Sequence, residues 1–200
     1  VNFENIELLI LCSKEDTWNR DFFEHFKLDV EYEDWNCGKN GRHLFYNHLA
    51  KKAHRAWLWH MCDDHYLLPG YDEYLVNYIK DNQINPLKIN CIVPAVSNYG
   101  SISHILSRGW YQTTRRIGFH GNIDSYLNRV LEQMVYSERI YHPEKPILYD
   151  FTADPTIMTE EHTKIELDPS FIFHDFESQE TKNEIQKDAR AIYDAIGGGM

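Results

Sequence analysis

The chain has 200 residues, 42% of them hydrophobic and 14% aromatic, enough to enclose one sizeable core and too apolar for a disordered polymer. A formal charge of −11 argues against duplex nucleic acid as a main partner, because such binding usually needs a basic face, and stays compatible with a local basic pocket for a small anion. No apolar run approaches the roughly 18–20 residues of a bilayer span, and the first residues lack a signal-peptide layout, so the expectation is a cytoplasmic protein without a transmembrane segment.

Residues 6–12 form a short continuous apolar run, the pattern of a strand covered on both faces. Asp16 is placed to cap a following helix, with Trp18, Phe22, Phe23 and Phe26 near one side. A second strand is expected within residues 28–35, and Asn-Cys-Gly-Lys-Asn-Gly at 36–41 has turn chemistry. Phe45, Leu49 and Ala53 recur at helical spacing over 42–53, with Lys51 and Lys52 on a solvated face. Residues 56–62 read as a third buried strand. After Pro69-Gly70, a stripe of Tyr71, Tyr74, Leu75, Tyr78 and Ile79 marks a helix.

Residues 89–96 read as a fourth strand, and 97–121 as irregular. Ile123, Leu127, Val130, Leu131 and Met134 mark another helix, and 146–151 and 156–159 short strands. Ser178 is placed to cap a last helix carrying Ile185, Ala189 and Ile192. This alternation predicts an α/β domain with a mostly parallel central sheet flanked by helices. Cys12, Cys37, Cys62 and Cys91 show no CxxC spacing, which argues against a zinc ribbon, and most of the eleven histidines are expected at the surface or in packing.

In open α/β sheets ligands gather outside the carboxyl ends of strands, and Asp63, Asp64 and His65 stand directly after the third strand. Carboxylate plus imidazole can hold a divalent cation, and a cation there neutralises charge developing on a diphosphate leaving group. The same residues also suit a solvated loop.

Residues 38–75, GKNGRHLFYNHLAKKAHRAWLWHMCDDHYLLPGYDEYL, resemble the nucleotide-sugar-binding half of glycosyltransferases with the GT-A fold, particularly the family 2 group. Gly41, Asn47, Ala53, the 57–62 run, Asp63-Asp64-His65, Leu68-Pro69-Gly70 and the helix from Tyr71 follow the family's order and spacing. The resemblance implies a single-domain, Rossmann-like GT-A fold. Residues 1–96 would form the nucleotide-sugar-binding half, 97–196 the acceptor-binding and catalytic half, and 197–200 a flexible tail. It further implies metal-dependent transfer of a sugar from a nucleotide-diphosphate donor to a hydroxyl-bearing glycan, lipid or protein, with inversion.

Counting back from Pro69, His65 occupies the place of the family's second metal-binding aspartate. The motif becomes Asp-x-His, a variant also seen in polypeptide N-acetylgalactosaminyltransferases, which bind manganese. The resemblance makes Asp63 and His65 metal ligands, with Asp64 between them beside the nucleotide. Imidazole favours Mn²⁺ over Mg²⁺, which prefers an all-oxygen shell.

Residues 167–177, LDPSFIFHDFE, carry a second resemblance, to the family's acidic turn that opens a helix and supplies the general base. Asp175 falls at that place, Glu177 is a second candidate, and His174 replaces the usual glutamate. Both acids equally favour the positive end of the helix beginning near Ser178. His174 is also a candidate third metal ligand, in competition with His162. Ser13, Asp34, Lys39 and Arg42 occupy places where the family contacts the nucleoside and its phosphates. Arg115 and Arg116 are candidates for a phosphate or the acceptor cleft, with Trp110 and Tyr111 stacking on a sugar face. The histidine substitutions also suit a non-catalytic nucleotide-sugar- or glycan-binding module that has kept the fold.

Overall fold

The computed structural model describes residues 6–13, 20–25, 30–33, 42–61, 65–97, 103–119, 123–134, 137–150 and 178–197. It begins with a parallel pair, β1 (Ile10–Ser13) and β2 (Val30–Glu33), in register from Ile10 opposite Val30 to Ser13 opposite Glu33. Helix α1 (Arg20–His25) lies between them in sequence, as a parallel crossover requires. Helix α2 (Arg42–Lys52) is tied to β2 through Glu31, which accepts a hydrogen bond from Lys52 and lies 3.1 Å from His48 Nε2. The hydrogen bonds from Lys52 and His48 hold the Glu31 carboxyl below its ordinary range.

Four strands form the second sheet: β3 (Trp57–Trp59), β5 (Cys91–Ile92), β7 (Ile105–Ser107) and β8 (Ile140–Tyr141). Their order is β3-β7-β5-β8, with β7 antiparallel to both neighbours and β5 parallel to β8. A third sheet has the order β4 (His65–Leu67), β9 (Pro146–Asp150), β6 (Ala95–Val96), antiparallel and then parallel. The architecture is therefore mixed α/β, and the expected mostly parallel sheet is corrected.

Two stretches account for that difference. The strand expected over 89–96 is two strands in two sheets, β5 and β6, separated by Val93-Pro94. Pro94 has no N–H to donate to a ladder and ends the first pairing. The region read as irregular contains β7 and, with no intervening loop, helix α4 (Arg108–Thr114). Ser107 closes the strand and caps the helix, its hydroxyl accepting from the Trp110 N–H. Gly109 permits the tight join, since a Cβ there would overlap the carbonyl oxygens of Lys88 and Leu87.

The four-stranded sheet separates two cores, and strand alternation decides which residue joins which. Leu58, Cys91 and Leu106 face Trp110, Tyr126, Leu127, Val130, Ile185 and Ile192, brought by α4, α5 (Ile123–Gln133) and α6 (Gln179–Gly197). Ile92 and Ile105 turn the other way, toward Ile147, Ile84 and Leu75 of α3 (Tyr71–Asp81). Gly70 enters α3 at φ 78°, a left-handed conformation that suits glycine. As expected, Ser178 caps α6 by accepting from the Thr181 N–H at 3.1 Å, and Ile185, Ala189 and Ile192 are buried.

An ionic anchor fixes α6 to the body. Arg116 donates to both oxygens of Asp188, at 3.0 and 2.8 Å, and to Glu184, while Tyr126 Oη donates to Asp188 at 2.7 Å. Among the described residues no helix is long and apolar enough to cross a membrane.

Candidate functional site

Strand β3 ends at Trp59, and His65 is the first residue of β4. In the antiparallel pairing of β4 with β9, His65 stands opposite Asp150, Tyr66 opposite Tyr149 and Leu67 opposite Leu148. Directly opposed residues lie on the same face with Cβ atoms about 4.5–5.5 Å apart. His65, Leu67, Leu148 and Asp150 thus share one face, and Tyr66 and Tyr149 the other. On the first face Leu148 and Asp150 are buried and His65 and Leu67 half-buried, while Tyr66 on the other is 50% exposed. An imidazole and a buried carboxylate thus stand opposite each other at the start of β4, whose first residue directly follows Asp63-Asp64 in sequence.

A second polar group lies at the exit of β3. His60 and His104 are buried, and their rings stack with centroids 6.3 Å apart. Asp124, in the first turn of α5, places Oδ1 2.8 Å from His60 Nε2 and 3.6 Å from His104 Nδ1. One helical turn on, Asn128 Oδ1 lies 3.0 Å from His104 Nε2. Trp59 Nε1 donates to Ser103 Oγ at 2.7 Å, and that hydroxyl donates to the His60 carbonyl at 3.0 Å. Burial raises the Asp124 pKa, but the interactions with His104 and His60 outweigh it and hold the carboxyl well below the usual range. The cluster joins the end of β3, the start of β7 and the start of α5. The expectation that histidines serve packing holds for these two, and packing here includes a shared charge.

The other sequence candidates divide into three groups. Ser13 is the last residue of β1, opposite Glu33 at the end of β2, so the carboxyl ends of the parallel pair coincide there. Arg42 is the first residue of α2. Asp34, Lys39, Asp63, Asp64, His162, His174, Asp175 and Glu177 lie outside the described residues. Two expectations are corrected. Trp110 is 1% exposed within the core and presents no face for a sugar to stack on, and Arg116 is committed to Asp188 and Glu184. Arg115 is exposed and ends α4 at φ 62°.

Asn47, matched to the family's helix asparagine, ties α2 to the chain beyond α4. It accepts from the Ile117 N–H at 2.7 Å and donates to the Gly118 carbonyl at 2.8 Å. Asp150, His60, His104 and Asp124 went unmarked in the sequence. For Asp150 a signal existed, since it ends an apolar run, Ile147-Leu148-Tyr149, as Asp63 ends another.

Among the described residues no group of three or more His, Cys, Asp or Glu is arranged to hold a metal ion. His65 and Asp150 stand opposite each other in the β4–β9 ladder, and two such residues do not make up a metal-ligand set. A groove of about 350 Å³ between Val93, Ile140, His142 and the α5 residues Asn128, Leu131 and Glu132 contains none of the candidate residues. Comparison of the chain with protein-family models, with curated proteins and with solved structures finds no match.

Proposed function

We propose that the chain is a metal-dependent glycosyltransferase of the GT-A type, which moves a sugar from a nucleotide-diphosphate donor to a hydroxyl acceptor. The observation that carries this reading is the unit running from β3 through β4 to α3. Its acidic segment, Asp63-Asp64-His65, comes after a partly buried strand, and His65 opens the next strand opposite a second carboxylate. The coincident carboxyl ends of β1 and β2 give further support, since Ser13 stands there and Asp34 follows Glu33 directly.

In this reading Asp63 and His65 hold Mn²⁺ (or Mg²⁺), with Asp64 beside the nucleotide and His174 a further ligand. The bound cation supplies neutralising charge for the departing nucleoside diphosphate. Ser13, Asp34, Lys39 and Arg42 contact the nucleoside and its phosphates. Asp175, or Glu177 in its place, takes the proton of the acceptor hydroxyl as that oxygen bonds to the anomeric carbon. The bond from this carbon to the diphosphate oxygen breaks, its electron pair leaves with the diphosphate, and direct displacement inverts the centre. Residues 1–96 serve the donor and 97–196 the acceptor.

The test is donor turnover. Purified protein with Mn²⁺ should slowly hydrolyse one nucleotide sugar from a panel, and Asp63→Ala should reduce that rate by about 100-fold or more, the scale of losing one electrostatic stabiliser. Tight Mn²⁺-dependent binding without turnover, even with an acceptor library, would replace the enzyme with a binding module. Absence of binding to any nucleotide sugar would overturn both.

A further inference from the structure

We propose that the groove between α5 and the edge strand β8 binds a small organic amine, an ammonium group carried on an apolar body. The groove shares no residue with the proposed donor site, and the inference does not rest on that site. Its place in the fold follows from β8 being the last strand of the four-stranded sheet, with no further strand beyond it among the described residues. Strand alternation puts Ile140 and His142 on one face, and Asn128, Leu131 and Glu132 stand at i, i+3 and i+4 on one face of α5. With Val93 they enclose about 350 Å³, within the roughly 300–1,000 Å³ of small-molecule sites.

The lining carries two chemistries. Val93, Leu131 and Ile140 are half-buried and leave apolar surface facing the groove, a slot for a hydrocarbon body. Glu132 and His142 are exposed, and among the described residues neither makes a hydrogen bond or an ion pair. Asn128 is already fixed, because its Oδ1 lies 3.0 Å from Nε2 of the fully buried His104. A polar group held from behind in this way is oriented before a ligand arrives.

Charge selects the class of ligand. Glu132 is the one carboxylate of the lining, and the lining holds no lysine or arginine to neutralise it. A carboxylate beside an apolar slot attracts a cation that brings its own apolar part, and the chain's charge of −11 disfavours anions at longer range.

The probe is benzylamine, titrated into the full chain and followed by methyl NMR, with benzyl alcohol and phenylacetate as its neutral and anionic counterparts. The methyl signals of Val93, Leu131 and Ile140 should move together as the amine is added. The alcohol should bind about fivefold more weakly, the scale of one partly exposed ion pair, and phenylacetate more weakly still. Glu132→Gln should bring the amine down to the affinity of the alcohol, whereas Glu180→Gln on exposed α6 surface should change nothing. Both positions are exposed on helices, so neither substitution threatens the fold. Equal affinity for the three probes, or an unchanged amine affinity in Glu132→Gln, overturns the inference. So does an absence of shifts at the three methyl-bearing residues, or Overhauser contacts that fill the groove with another part of the chain or a second copy. Each of these outcomes leaves the proposed function standing, since Mn²⁺-dependent donor turnover is read separately.

Discussion

Asp124 is one negative charge shared by two buried imidazoles, and its consequences can be measured without knowing the reaction. His60 and His104 keep its carboxyl ionised against the effect of burial. Because the folded-state pKa is depressed, the carboxylate contributes its full stabilisation above the unfolded value near ~4. That contribution is lost as the pH falls below this value toward the lower folded pKa. Asp124→Asn keeps the shape and removes the charge from between the rings. It should cost about 3 kcal/mol at pH 7, a Tm drop of roughly 6–12 °C for a chain of this size. The two melting temperatures should converge as the pH is lowered from about 5 to about 2, whereas parallel curves would show that the cluster carries no net charge interaction.

At the scale of elements, α6 is held both by its apolar stripe and by Arg116. Arg116→Ala leaves Asp188 buried with its guanidinium gone and the Tyr126 hydroxyl as its close donor. The expected cost is about 3–5 kcal/mol, read from urea unfolding, with Arg116→Lys falling between because an ammonium lacks the planar two-pronged fit. A loss below about 1 kcal/mol would assign the docking of α6 to Ile185, Ala189 and Ile192 alone.

The same helix shows what a sequence makes legible. Its cap and stripe are local, as is the pattern of α3, so both are readable from spacing. Strand β7 and α4 are not, because Ser107 ends one and begins the other without the Gly, Pro or polar run that normally separates two elements. Arg116 and Trp110 mislead for a related reason. An arginine or tryptophan in a polar stretch looks like surface until a distant helix covers it. The candidate site divides along the same line: Asp63-Asp64-His65 is contiguous and visible in the sequence, while Asp150 comes opposite His65 only through strand register.

At the scale of the whole molecule, the proposed function asks an acidic chain of charge −11 to bind an anionic donor. Without a cation these charges repel, so donor binding should depend on the metal more steeply than it would in a basic protein. Calorimetric titration of nucleoside diphosphates into the full chain tests this directly. One diphosphate should bind in the presence of Mn²⁺, lose that affinity when the ion is chelated, and fail to bind His65→Ala. Equal affinity with and without the ion, or an unchanged affinity in His65→Ala, would contradict the assignment of this strand end as a cation-dependent donor site.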